Sequence, residues 1–199
     1  MESVETQIQK LFARRVTARS RDLVAAGVPR ITLTRLVAAG RLKRIARGVY
    51  ALPSYEESDN EALAAVARRA PRAVFCLLTA LRYHELTTQS PHEVWIAIAN
   101  KAYPPRLDYP SLRVIRYSSQ SLNAGVETRQ IEGISIRITG IEKTVADCFK
   151  FRNRIGLDVA LEALREARGT DRFDIDELWR FAKVDRVTNV IRPYLEALA

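Results

Sequence analysis

Three glycines in the first fifty residues, Gly27, Gly40 and Gly48, cut this chain's N-terminal block into short helix-forming and strand-forming pieces. Residues 4–12 set Val4, Ile8, Leu11 and Phe12 at i, i+4, i+7 and i+8, one face of a first helix. A second helix is expected from the polar start Thr17-Ala18-Arg19-Ser20-Arg21-Asp22 through Leu23-Val24. It halts at Gly27, which suits the left-handed position just past a helix end. Pro29 opens a third helix in its first turn, where a missing N–H is harmless, and Gly40 closes it. Helix, glycine-containing turn, helix is the helix-turn-helix spacing. Beyond it, Leu42–Ile45 and Val49–Leu52 read as two short strands about a turn at Ala46-Arg47-Gly48. That hairpin is a wing.

Charge is distributed as unevenly as the glycines. Residues 1–53 hold eleven Lys and Arg against three acids, a net of +8 of the whole chain's +9. The remaining 146 residues hold 21 bases and 20 acids. A block so basic gains from a polyanion, because phosphate contacts release condensed counterions. A merely soluble surface explains a basic protein but not so lopsided a split.

Projected at 100° per residue, the third helix turns Pro29, Leu33, Leu36 and Val37 toward a core. Ile31, Thr34, Arg35 and Ala38 lie opposite, with Arg30 and Thr32 on the flanks. Small residues, hydroxyls and arginines suit entry into a major groove. Ile31 has two readings of equal weight, contact with a thymine methyl or packing against the wing. Lys43, Arg44 and Arg47 decorate the wing, where basic groups usually meet phosphate or a narrow minor groove. The candidate DNA contacts are Thr17, Arg19, Arg21, Arg30, Ile31, Thr32, Thr34, Arg35, Arg41, Lys43, Arg44 and Arg47.

The run from Asp22 to Leu52 resembles the N-terminal winged helix of AbiEi-type antitoxins, one half of bacterial type IV toxin–antitoxin pairs associated with abortive phage infection. The residues that carry the resemblance are Gly27-Val28, Leu33 with Leu36, then Gly40, Leu42 and Arg44, and finally Gly48 and Tyr50. It continues in Thr79–Leu86, where Glu85 stands at a position usually held by glycine, and in Thr139–Phe149. What the resemblance implies is an antitoxin that represses its own operon and counteracts a nucleotidyltransferase-like toxin, directly or functionally.

The remaining residues read as a second domain, 54–199, after a winged helix-turn-helix of residues 1–53. Pro53–Ser58 is a polar hinge, and Ser58-Asp59-Asn60-Glu61 a capping box that opens a helix. Strands are expected at Val94–Ala99, Leu112–Tyr117, Val126–Ile131 and Ile134–Thr139, the last two joined by Glu132-Gly133. Ala73–Leu77 is a buried strand or a helix start, Thr79–Leu86 a helix, and Tyr103–Pro110 a proline-rich loop. A second capping box, Thr139-Gly140-Ile141-Glu142, leads a helix to Phe151, and Leu157–Ala167, Ile175–Ala182 and Val187–Leu198 form a helical tail. The fold class is α+β, a small sheet with helices segregated after it. With 21 bases against 20 acids, this part has no electrostatic reason to grip nucleic acid. Its closing helices suit a partner protein instead.

Catalytic signatures are few. No glycine is followed by lysine or serine, which removes a phosphate-binding P-loop, a nucleophile elbow and the start of a nucleotidyltransferase site. No Asp-x-Lys or Glu-x-Lys triplet supplies a restriction-type nuclease centre. His84 beside Tyr83 reads as a structural histidine, and Asp147 as a partner of Arg152 or Arg154. Cys76 and Cys148 sit in apolar contexts as free thiols, and no cofactor or metal is expected.

The expectation is a non-enzymatic cytoplasmic protein, without a signal peptide or membrane span, that is monomeric in solution and pairs on an inverted-repeat operator. The alternative is a winged-helix transcriptional regulator whose second domain senses a small molecule. An enzyme delivered to DNA is a third class, disfavoured by the empty motif search.

Overall fold

The computed structural model describes the chain apart from residues 1, 2, 14, 16, 56, 57, 108, 198 and 199. The middle of the expected hinge, Glu56-Glu57, and the last residue of the expected final helix, Leu198, lie outside the described residues. The chain divides into two compact units, Met1–Ser58 and Asp59–Ala199.

In the first unit, α1 (Val4–Phe12) is capped by Ser3, whose side chain accepts from the Thr6 N–H at 3.2 Å. Then follow β1 (Thr17–Arg19), α2 (Ser20–Ala25), α3 (Arg30–Ala38), β2 (Lys43–Ala46) and β3 (Val49–Ala51). The three strands form one antiparallel sheet in the order β1-β3-β2. This is a winged helix-turn-helix, and its core is Ile8, Ala18, Leu23, Val28, Leu33 and Leu42.

Two expectations change here. Thr17–Arg19 is a strand and not the start of the second helix, because Thr17, Ala18 and Arg19 pair with Ala51, Tyr50 and Val49. The helix begins one residue later, where the Asp22 carboxylate accepts from the Arg19 N–H at 3.2 Å. Pro29 is exposed and caps α3 in extended backbone (φ −60°, ψ 150°), so it stands outside the core. Val28, fully buried, takes the place expected for it.

The second unit begins with α4 (Asp59–Arg69), β4 (Val74–Phe75) and α5 (Leu77–Tyr83). It continues through β5 (Val94–Ala99), β6 (Leu112–Tyr117), α6 (Ser119–Asn123), β7 (Val126–Ile131) and β8 (Ile134–Thr139). Helices α7 (Ile141–Lys150), α8 (Arg152–Ile155), α9 (Leu157–Arg168), α10 (Ile175–Asp185) and α11 (Thr188–Ala197) close it. The five strands form a mixed sheet, β6-β5-β4-β8-β7, parallel at β5–β6 and β4–β8. β5 is buried on both faces, which is why it reads as an unbroken apolar run. Trp95 and Ala97 face α5, α7 and the C-terminal helices. Val94, Ile96 and Ile98 share the opposite core with Leu63 and Val66 of α4. The fold is α+β with the sheet between helices.

The β7–β8 turn has positive φ at both Glu132 and Gly133, as a right-handed twist between two strands favours. The expected capping box at the start of α7 does not form. Gly140 caps the helix, the Thr139 hydroxyl bonds to Thr144 Oγ1 at 2.7 Å, and Glu142 accepts from the Asp174 N–H at 3.0 Å. Among the described residues no helix is long and apolar enough to cross a membrane.

Candidate nucleic-acid interface

Helix α3 exposes one face and buries the other. Leu33 is 1% exposed, whereas Arg30, Ile31, Thr34, Arg35 and Ala38 are exposed and Thr32 is half-buried. Ile31 is 68% exposed, so it does not pack against the wing. Gly27 sets the angle of this helix in two ways. Its φ of +93° disfavours any L side chain, and an added Cβ would meet the Gln7 side chain of α1 at 2.8 Å.

The wing turns over two residues, Arg47 and Gly48, the latter at φ +74°. The Gly48 carbonyl accepts from the Ser20 N–H at 2.8 Å, which ties the tip to the start of α2. The β2–β3 register slips between Arg44 and Ala46, leaving Ile45 as a bulge.

The basic side chains separate by what already holds them. Arg41 pairs with Glu5 at 2.6 Å, and Arg21 lies 3.7 Å from Asp22. Arg44 Nε donates weakly to the Ala46 carbonyl at 3.4 Å. Arg30, Arg35, Lys43 and Arg47 are exposed and have no ion-pair partner among the described residues. Two lie on α3 and two on the wing. Thr17 and Arg19 are half-buried on β1, the sheet edge opposite β2. The sequence signal for them, a polar helix start, pointed to the wrong element.

The second unit holds an ionic cluster that sequence reasoning missed. Lys143 and Asp147 form an ion pair one turn apart on α7, both fully buried, and Lys143 Nζ reaches Asp185 Oδ2 of α10 at 3.0 Å. Ser121 donates to Asp185 Oδ1 at 2.7 Å, and Lys150 Nζ lies 2.9 Å from the same oxygen. The Tyr117 ring adds a cation–π face, its centroid 5.1 Å from Lys143 Nζ. Asp147 therefore pairs with Lys143 and not with Arg152 or Arg154. Burial pushes the Asp147 carboxyl up to about 7, against the pull of the Lys143 ammonium. Burial would lower Lys143, but the Asp147 and Asp185 carboxylates together raise it. Asp185 also feels burial, yet Lys143, Ser121 and Lys150 hold it below the usual carboxylate range.

His84 is buried, its Nε2–H donating to the Thr139 carbonyl at 2.7 Å, with Tyr83 edge-on at 5.2 Å. Burial lowers its pKa and keeps the imidazole neutral. Such a ring locks α5 to the end of β8, the structural reading. Cys76 and Cys148 are free and buried, and burial pushes both thiols up. Among the described residues no group of His, Cys, Asp and Glu is arranged to hold a metal ion.

Residues 7–53 match the family described as transcriptional regulator, AbiEi antitoxin. No curated protein matches the chain. Among solved structures it is similar to the crystal structure of the RV2827C protein from Mycobacterium tuberculosis, with 13% identity, 98% of this chain and 82% of that chain covered, and a TM-score of 0.48. The segment that builds the helix-turn-helix and its wing, residues 7–53, is the part of the chain that matches the AbiEi antitoxin family of transcriptional regulators.

Proposed function

We propose that this protein is the antitoxin of a bacterial toxin–antitoxin pair. It binds operator DNA through its winged helix to repress its own operon, and its second unit counteracts a nucleotidyltransferase-like toxin. The observation that carries the DNA half is a set of four exposed cations without an ion-pair partner among the described residues, Arg30 and Arg35 on α3 with Lys43 and Arg47 on the wing. Exposed guanidinium and ammonium groups without carboxylate partners are free to neutralise phosphate without first breaking an ion pair. The family match over residues 7–53 supports the regulator and antitoxin assignment.

In this reading α3 enters a major groove, with Arg35 and Thr34 aimed at base edges and Ile31 at a thymine methyl. Lys43, Arg44 and Arg47 follow the flanking backbone. One winged helix covers too little DNA for repressor-grade affinity, so two copies meet on an inverted repeat. The protein works in the cytoplasm as a monomer that pairs on DNA, and performs no catalysis.

Two measurements test this. With about four phosphates neutralised, log K falls against log salt with a slope of about −3.6. Binding that is flat between low and moderate salt overturns the DNA half. For the antitoxin half, the neighbouring nucleotidyltransferase-like gene is expressed from an unrelated promoter with this chain carrying Arg35→Ala. Protection from the toxin together with loss of repression supports two separable tasks, and loss of protection reduces the protein to a repressor.

A second reading, a regulator whose second unit senses a small molecule, is favoured by one observation. The second unit holds a cavity of about 580 Å3, inside the ~300–1,000 Å3 range of small-molecule sites.

A further inference from the structure

That cavity opens where β5 ends, beside the start of β4 and Arg137 of β8. Arg69, Arg72 and Arg137 line it, and among the described residues no carboxylate does. None of the three has an ion-pair partner among the described residues. Two are braced by backbone instead. Arg137 donates to the Arg72 carbonyl at 3.0 Å, and Arg69 Nε to the Arg106 carbonyl at 3.5 Å. Three guanidinium groups lining one cavity, two of them oriented by backbone carbonyls, offer fork-shaped donors to an anion.

The rest of the described lining is mostly alanine, proline and aliphatic side chains, with one aromatic ring, Tyr103. Tyr103 is 95% exposed, more than any other large apolar side chain among the described residues, and Pro104-Pro105 stiffen the loop that carries it. Arg116 of β6 anchors that loop by donating to the Ala102 carbonyl at 2.9 Å. A fully exposed ring on a braced loop has no packing role to explain it. A ring lining the same cavity as three guanidinium groups that have no ion-pair partner among the described residues matches a ligand with a flat face and a phosphate chain.

We propose that this cavity binds a nucleoside phosphate, with Arg69, Arg72 and Arg137 on the phosphates and the Tyr103 ring stacked on the base. The net charge of the second unit hid this, since its bases and acids nearly cancel in number while these arginines gather without an acid among the described lining residues. The inference does not rest on the antitoxin reading, and stands or falls whether or not a toxin is countered. The same chemistry is offered by a free nucleotide and by the end of a single strand.

Full-length protein is titrated calorimetrically with ATP, GTP, inorganic triphosphate and a short single-stranded oligothymidine. Saturable binding of a nucleotide or of the strand is expected, and whichever binds tighter identifies the source. Tyr103→Ala should weaken it about tenfold or more, from loss of base stacking, and leave triphosphate unchanged. Arg72→Glu should weaken all of them about tenfold or more. Arg35→Ala, in the other unit, should leave nucleotide binding unchanged. Melting temperatures near wild type for the two cavity variants show that both fold. No saturable binding of nucleotide or strand, or wild-type affinity in both variants, overturns the proposal. Triphosphate binding as tightly as ATP, with Tyr103→Ala silent, overturns the assignment of a nucleoside.

Discussion

Lys143 Nζ lies 3.0 Å from Asp185 Oδ2 with both side chains fully excluded from solvent, so an ion pair ties α7 to α10 inside the second unit. Removing one partner of such a pair leaves a buried charge without compensation. Lys143→Met should therefore destabilise the protein by about 3–5 kcal/mol in urea unfolding. Replacing Lys143, Asp147 and Asp185 together by apolar residues of similar volume should recover most of that loss. A single-variant loss below about 1 kcal/mol would mean that the cluster contributes little.

Asp147 should make stability fall as pH rises. Its folded pKa of about 7 exceeds the ordinary aspartate value of 3.8, so the folded state holds the proton longer than the unfolded chain. In the window from 3.8 to about 7, unfolding releases that proton and becomes easier with increasing pH. The slope reaches at most about 1.4 kcal/mol per pH unit. His84, with its lowered pKa, acts in the opposite sense below 6.5. The difference between wild type and Asp147→Asn isolates the carboxyl. The variant should show the flatter decline, and identical pH profiles would count against a raised pKa.

Glu85 adopts φ +62° just past the end of α5, where the Leu86 N–H reaches back to the Leu81 carbonyl at 2.8 Å. That is the left-handed closing position of a helix, which glycine occupies without a Cβ penalty. The Glu85 side chain is exposed. Glu85→Gly should stabilise the protein by about 0.5–1 kcal/mol, the relief of strain exceeding the added chain entropy. A lower melting temperature would show that the side chain makes contacts worth more than the strain.

Gly27→Ala should cost about 1–2 kcal/mol and loosen α3, because both φ +93° and the Gln7 contact oppose a Cβ. Adding Gln7→Ala should relieve the steric part alone. Full recovery in the double variant would mean that backbone strain is negligible.

Arg35 and Arg41 should differ on DNA although both are exposed arginines. Arg35→Ala should weaken specific binding by about 1–3 kcal/mol if it reads a base edge. Arg41 already pairs with Glu5 at 2.6 Å, so Arg41→Ala should cost less and lower the salt slope less than Lys43→Ala does. Equal losses at Arg35 and Arg41 would show that the Glu5 pair opens on DNA.

Much of this was legible without a structure. β5 to β8 run over the residues that their β-branched and apolar runs predict, since strand periodicity and the Glu132-Gly133 turn are local properties. The buried face of α3 likewise follows from the spacing of Leu33, Leu36 and Val37. What the order of residues alone determined was most of the elements, several of their turns and the basic winged-helix block. β1 was not legible, because three residues become a strand only when β3 supplies their hydrogen bonds. The Lys143–Asp147 spacing is what an exposed helix face shows, and only tertiary contact with Asp185, from α10, reveals it as a buried network. Arg69, Arg72 and Arg137 come together only through the pairing of β4 with β8, so net charge could not foresee them. Local backbone preferences act over a few residues and can be read along the chain, whereas burial and charge pairing depend on distances that only the folded packing creates.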